Sequence, residues 1–139
     1  MQKFGWPGTR IAELEHWVVL LRPQQCTLGA LVLASKQPAT EFSQVDAAGM
    51  VELCKAVSGV ETMLKAAIGY QKINYLMLMM VDPDVHFHVL PRYESDKAHQ
   101  GLRIPDAGWP GPPRLDVFTE PSPEDQASLI AHLGAYWPG

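Results

Sequence analysis

The sequence predicts an α+β fold in which antiparallel strands are segregated from helices. Three observations carry that expectation. Four short runs have strand composition: Glu15–Leu21, Cys26–Ser35, Ile73–Val81 and Asp84–Arg92. One unbroken stretch, Asp46 to Ile68, repeats apolar residues at helical spacing. A second, capped helical pattern closes the chain. The length of 139 residues suits one domain, with a core expected at about 10–93 and a proline-rich loop plus closing helix over 94–139.

Taken in order, Glu15–Leu21 (EHWVVLL) is aromatic and β-branched and reads as a strand. Pro23 marks Arg22–Gln25 as a turn, so Cys26–Ser35 (CTLGALVLAS) follows as the return strand of a near-hairpin. Lys36–Val45, with Pro38, is expected to be irregular or a short helical turn. In the long helix, Met50, Leu53, Cys54, Val57, Val60, Met63, Leu64, Ala67 and Ile68 fall on one face. Ser43 or Asp46 can cap its start and Gly69 can end it, while Gly59 inside it suggests a close packing contact. Ile73–Val81 (INYLMLMMV) is apolar on both faces, as a central strand would be. Asp82-Pro83 is turn chemistry. Seven of the twelve prolines lie between Pro91 and Pro123, so Tyr93–Thr119 is expected to be mostly loop. Ser122 as N-cap, Pro123 at the first position and Glu124 and Asp125 in the first turn open a helix over Ser122–Trp137.

Composition bounds the function. Hydrophobic residues at 47% and charged residues at 19% describe a folded chain. The longest strictly apolar run, Tyr75–Val81, has seven residues, far fewer than the ~20 of a membrane helix. Met1–Arg10 has no apolar signal core, and Cys26 and Cys54 form no disulfide pattern, so a cytoplasmic protein is expected. Fifteen acidic and eleven basic residues give a net charge of −4, which argues against a nucleic-acid polymer as partner and leaves a small anionic ligand open.

The chemistry concentrates in Asp84-Val85-His86-Phe87-His88-Val89-Leu90-Pro91-Arg92. On a strand, Asp84, His86, His88 and Leu90 share one face, and Val85, Phe87 and Val89 share the other and should pack on the long helix. Two adjacent imidazoles can be structural, can ligate a metal, or can serve phosphoryl chemistry, one attacking and the other donating to an oxygen or a leaving group. A metal set would add Glu94, in a spacing that, with Gly101, loosely resembles a cupin box; the Asp46–Ile68 helix has no place in an all-β cupin barrel.

The run VHFHVLPR resembles the signature of the histidine-triad (HIT) family of nucleotide hydrolases and transferases, whose motif alternates three histidines with apolar residues. The resemblance covers roughly Glu15 to Tyr93 and includes the element order. It implies a HIT-like fold, a sheet of about five strands per chain, a homodimer, and a purine nucleotide or related small phosphate ester as substrate. It also implies attack at the α-phosphorus through a covalent nucleotidyl-histidine, on phosphoramidates or dinucleoside polyphosphates, with no cofactor. His86 falls on the nucleophile, and His88 on the histidine that contacts phosphate and aids departure. Asp84 replaces the first histidine; there the family's backbone carbonyl orients the nucleophilic ring, a role any residue can fill. The Asp84 carboxylate would repel phosphate, or else raise the pKa of His86 or His88. Asp84, Leu90 and Arg92 are the candidates for substrate contact.

Three departures leave a binding module with little or no catalysis as the alternative. Gly29-Ala30 stands for the family's Gly-His, Met79–Pro83 for its Gly-Gln-Ser/Thr segment, and Leu20 or Leu21 for a ribose-holding Asn. Besides Arg92, Arg22 is placed to offset phosphate charge. Met77, Met79 and Met80 suit either core or an adaptable base pocket. Trp17, Trp109 and Trp137 could stack on a purine, Trp109 best among them, or could simply pack. His16, His99 and His132 have no assigned role.

Overall fold

A computed structural model describes residues 3–139. Among them the elements run β1 (Arg10–Glu13), β2 (Trp17–Leu21), β3 (Leu31–Ser35), α1 (Ala47–Ala67), β4 (Lys72–Leu76), β5 (His86–Arg92), β6 (Lys97–His99), β7 (Leu102–Ile104) and α2 (Pro123–Gly134). The first five strands form one antiparallel sheet in the order β1-β2-β3-β5-β4, and β6 and β7 form a separate hairpin. The expected class therefore holds: a five-stranded antiparallel sheet with two helices.

The sheet has two differently used faces. Trp17, Val19, Leu21, Leu31, Leu33, Val85 and Val89 join Ala56, Val60, Met63 and Leu64 of α1 and Leu129 and Leu133 of α2 in the main core. Val18, Leu20, Val32 and Ala34 point the other way and are covered by Phe4 and Trp6. Strand alternation explains the split, because every residue of β2 and β3 is buried on one side or the other.

The helix caps follow the sequence. The Asp46 carboxylate accepts from the Gly49 N–H at 2.8 Å, and Ser122 Oγ accepts from the Asp125 N–H at 3.1 Å. The buried stripe of α1 is Gly49, Ala56, Gly59, Val60, Met63 and Leu64, whereas Met50 and Cys54 are exposed. Small residues carry the contact because the helix lies close to its neighbours: Trp17 Nε1 donates to the Gly49 carbonyl at 2.8 Å.

Other boundaries differ from expectation. Cys26–Ala30 is a loop, not strand, because the Gln25 side chain takes over its backbone: Nε2 donates to the carbonyls of Arg22 (2.7 Å) and Ala30 (2.9 Å), and Oε1 accepts from the Gly29 N–H (2.8 Å). Gly29 has φ +88°, closed to most side chains. β4 stops at Leu76 and lies at the sheet edge, not the centre. The apolar run beyond it is loop, with Met80 83% and Val81 100% exposed. β1 was not expected. Neither was β6–β7, whose turn places Gln100 and Gly101 both at positive φ, the geometry of a two-residue hairpin loop.

Candidate active site

β5 sits between β3 and β4, and its register sets the site. His86 pairs with Ala34, and His88 pairs with Val32 on one side and Leu76 on the other. Both imidazoles therefore stand on the sheet face turned away from the helices, beside small or apolar neighbours. Their centroids lie 5.0 Å apart with the rings nearly perpendicular. Phe4 leans over both, at 5.2 Å from His86 and 6.2 Å from His88.

His86 and His88 are 3% and 8% exposed, yet both border a cavity of about 530 Å³. Arg22, Gln24 and Asp82 contribute its other polar groups, and Phe4, Leu115 and residues 78–81 its apolar wall. His86 Nδ1 lies 2.6 Å from the Asp84 carbonyl oxygen. A carbonyl only accepts, so Nδ1 carries the hydrogen, and in the neutral ring Nε2 keeps the lone pair. The Asp84 backbone is set in turn by its N–H, which donates to Asp82 Oδ1 at 3.0 Å.

His88 differs. Burial, then the Arg22 charge and His86, push its pKa down to about 4. The Asp84 carboxylate is not among the groups that set this direction. His88 Nδ1 is buried without a hydrogen-bond partner among the described residues. An orphaned ring nitrogen costs about 1–3 kcal/mol unless something meets it.

The other candidates separate. Among the described residues, Arg22 is the cationic side chain at the cavity; its Nη1 donates to the Gln24 carbonyl at 2.9 Å and contacts Cys26 Sγ at 3.4 Å. Arg92 is not placed to meet substrate charge there. Its guanidinium donates to Asp106, Asn74 and the Gly111 carbonyl at 2.6 to 3.0 Å, and it borders a different cavity with Trp109. Leu90 is fully buried with Cys26 and Ala30 in a packing layer that Leu115 joins. Asp84 contributes its carbonyl to the pair with His86. Met79 and Met80 line the cavity and Met77 packs on the core. Trp17 is core, and Trp137 lies against Gly59. Among the described residues, the His, Cys, Asp and Glu side chains that bring three ligand atoms within 4.8 Å are Glu15, His16 and Glu52, so Glu94 does not complete a set with His86 and His88. Sequence reading missed Phe4, Gln24 and Leu115, which come from distant segments and carry no local motif, and took Asp82 only as part of a turn.

The fold matches solved structures of histidine-triad proteins. A histidine-triad protein from Bradyrhizobium japonicum superposes with a TM-score of 0.74 over 93% of this chain and 90% of its own, at 21% identity. One from Marinobacter aquaeolei gives 0.73 over 92% and 87%, at 22% identity. A hypothetical histidine triad nucleotide-binding protein from Sulfolobus tokodaii gives 0.68 over 92% and 82%, at 20% identity. The chain has the histidine-triad fold. No protein-family model and no curated protein matches its sequence. The HIT likeness extends past the motif strand into the proline-rich tail, beyond the Glu15–Tyr93 span in which the sequence resemblance was visible. No described helix of this HIT fold is long and apolar enough to cross a membrane.

Proposed function

We propose that this HIT-fold chain is a nucleotide-binding hydrolase or nucleotidyl transferase that works through His86. The observation that carries the reading is the 2.6 Å contact between His86 Nδ1 and the Asp84 carbonyl at the edge of a cavity. It leaves Nε2 as the nucleophilic atom and fixes the ring before substrate arrives, which lowers the ordering cost of attack. In the first step Nε2 bonds to the α-phosphorus as the bond to the leaving group breaks. Water then cleaves the N–P bond and releases the nucleoside monophosphate; in transfer, another nucleophile takes water's place. His88, with one nitrogen unpartnered and the ring held neutral near pH 7, donates a hydrogen bond to a phosphoryl oxygen. Arg22 offsets the charge on phosphorus.

The same reading gives a homodimer and a cytoplasmic location. The outer edge of β4 faces no strand among the described residues, and Cys26 and Cys54 are unpaired, which fits a reducing compartment.

Turnover of a fluorogenic adenosine phosphoramidate tests the catalytic reading. Wild type should release the fluorophore, and a quenched reaction should contain protein heavier by one nucleotidyl group. His86→Ala should bind adenosine monophosphate and do neither. Equal rates in both proteins would reject the reading. Binding without turnover in wild type would favour a nucleotide-binding module, which the tight cover of Phe4 over His86 also suits.

A further inference from the structure

We infer that the stacked imidazoles of His99 and His132 form an acid-sensitive clasp. It fastens β6 to α2 and to the end of α1, holds while at most one of the two rings carries a proton, and loosens when both do. The pair stands among the helices, apart from His86 and His88, and the inference is independent of the catalytic reading.

The geometry comes first. His99 ends β6, and His132 lies in the last turn of α2. Their ring centroids are 4.8 Å apart and the planes are tilted by 31°. Hydrogen-bond directions fix both tautomers. Ser128 Oγ has a single hydrogen, and it goes to Gln100 Oε1 at 3.0 Å, an atom that only accepts. Toward His99 Nε2, 2.9 Å away, the same hydroxyl therefore accepts, so Nε2 carries the hydrogen. His132 Nε2 lies 2.9 Å from the Ala67 carbonyl and carries a hydrogen too. In both neutral rings the lone pair is left on Nδ1. A proton arriving there breaks none of these bonds. What the second proton adds is repulsion between two imidazolium rings at stacking distance.

The surrounding charges admit one proton and oppose two. From α2, Asp125 favours charge on His99. From α1, the Ala67 carbonyl belongs to the C-terminal end of the helix, where positive charge is favoured. Lys65 of the same helix end is turned to the Tyr70 carbonyl. From β6, Lys97 shares the strand face of His99 and adds positive charge, its ammonium 5.7 Å from the Tyr93 ring. Arg103 of β7 is paired with Asp96 at 3.6 Å, and the Tyr136 ring stands edge-on to His132 at 5.5 Å. Burial first, and His132 after it, hold the His99 pKa below 6.5. The sign follows. Above 6.5 neither the closed nor the open form gains a proton on His99, and the clasp is whole. As the pH falls, the open form takes up the proton that the closed stack resists, and β6 is released.

The release is local. β7 is anchored by Leu102 and Ile104 in the main core, whereas the three residues of β6 are half-buried or exposed. Opening is therefore confined to β6 and the Gln100–Gly101 turn, and β7, which leads to Asp106, stays in place.

Amide hydrogen exchange on the full chain, with NMR titration of the two rings, tests the clasp. Between pH 7 and pH 5 the wild-type protection factors of β6 and its turn should fall by about tenfold or more, while those of α1 hold. In His132→Gln, whose side-chain amide can still donate to Ala67, the same factors should stay within about threefold across that range. His99 should also titrate at higher pH in that variant than in wild type. Asp125→Asn keeps both rings and should move the loss of protection to lower pH. Undiminished protection in wild type, an equal loss in His132→Gln, or a His99 titration that ignores His132→Gln would overturn the inference. So would a loss that stays put or moves to higher pH in Asp125→Asn.

Discussion

Arg92 grips Asp106 with two hydrogen bonds, Nε to Oδ2 at 2.7 Å and Nη2 to Oδ1 at 3.0 Å, where the two side chains are only 5% and 1% exposed. Asp106 Oδ2 also accepts from the Tyr93 N–H at 3.1 Å, and Arg92 reaches Asn74 on β4 and the Gly111 carbonyl in the proline-rich loop. The end of the motif strand is thus fastened to its neighbour strand and to the tail. Removing one partner leaves a buried charge without its counterpart, so Arg92→Leu should destabilise by about 3–5 kcal/mol in urea unfolding. Arg92→Met combined with Asp106→Leu should cost less than the two single changes added together. A wild-type midpoint for Arg92→Leu would mean the pair does not hold the tail.

Asp84 touches His86 through its backbone carbonyl, and every residue has one. Asp84→Asn and Asp84→Ala should therefore keep kcat within about threefold, less than ~0.7 kcal/mol of barrier. His86→Ala should lose at least about a hundredfold. Steady-state kinetics on one phosphoramidate decide the matter. A hundredfold loss in Asp84→Asn would put the carboxylate itself into the chemistry.

What the sequence made legible follows from length and periodicity. α1 was readable because its 21 residues repeat at helical spacing behind a capping Asp46. Its buried face was less so. Large apolar residues dominate a periodicity reading, whereas Gly49, Ala56 and Gly59 carry the closest approach and Met50 faces outward. β1 (RIAE) is four residues at an edge, too short and polar for a signal. β4 was overextended because Leu78–Val81 is apolar yet runs as loop along the cavity, and strand composition cannot distinguish such a run from a core strand. His86 and His88 were legible as a pair on one face. The division between Arg22 at the cavity and Arg92 at Asp106 was not, because it depends on a tail that folds back over β5 from 14 residues away.

His88 gives a pH dependence with a definite sign. Its pKa falls from 6.5 in the open chain to about 4 in the fold, burial first and Arg22 and His86 after it. Between those values the unfolded chain binds a proton that the folded protein does not. Stability should therefore be full above pH 6.5, decline as the pH drops toward about 4, and level off below, with a slope no steeper than ~1.4 kcal/mol per pH unit from this group. Wild type and His88→Gln, unfolded in urea across that range, isolate the contribution, since the other titrating groups cancel in the difference. Parallel curves would mean that the ring titrates in the fold as it does in the open chain.

Gly59 and Trp137 supply a test whose sign should reverse with background. A methyl group at position 59 would stand 2.5 Å from Cη2 and 2.9 Å from Cζ2 of the Trp137 indole, closer than real contacts allow. Gly59→Ala gains about 1 kcal/mol of helix propensity but must push the indole off α1, at an overpacking cost of about 1–3 kcal/mol. In the wild-type background the substitution should therefore be neutral to destabilising. With Trp137→Ala already present the obstruction is gone, and the same Gly59→Ala should stabilise by about 0.5–1 kcal/mol. Urea midpoints of the four proteins complete the cycle. A gain of equal size in both backgrounds would mean that the indole does not press on the helix, and that Gly59 is there for a reason other than the close approach of the chain's last tryptophan.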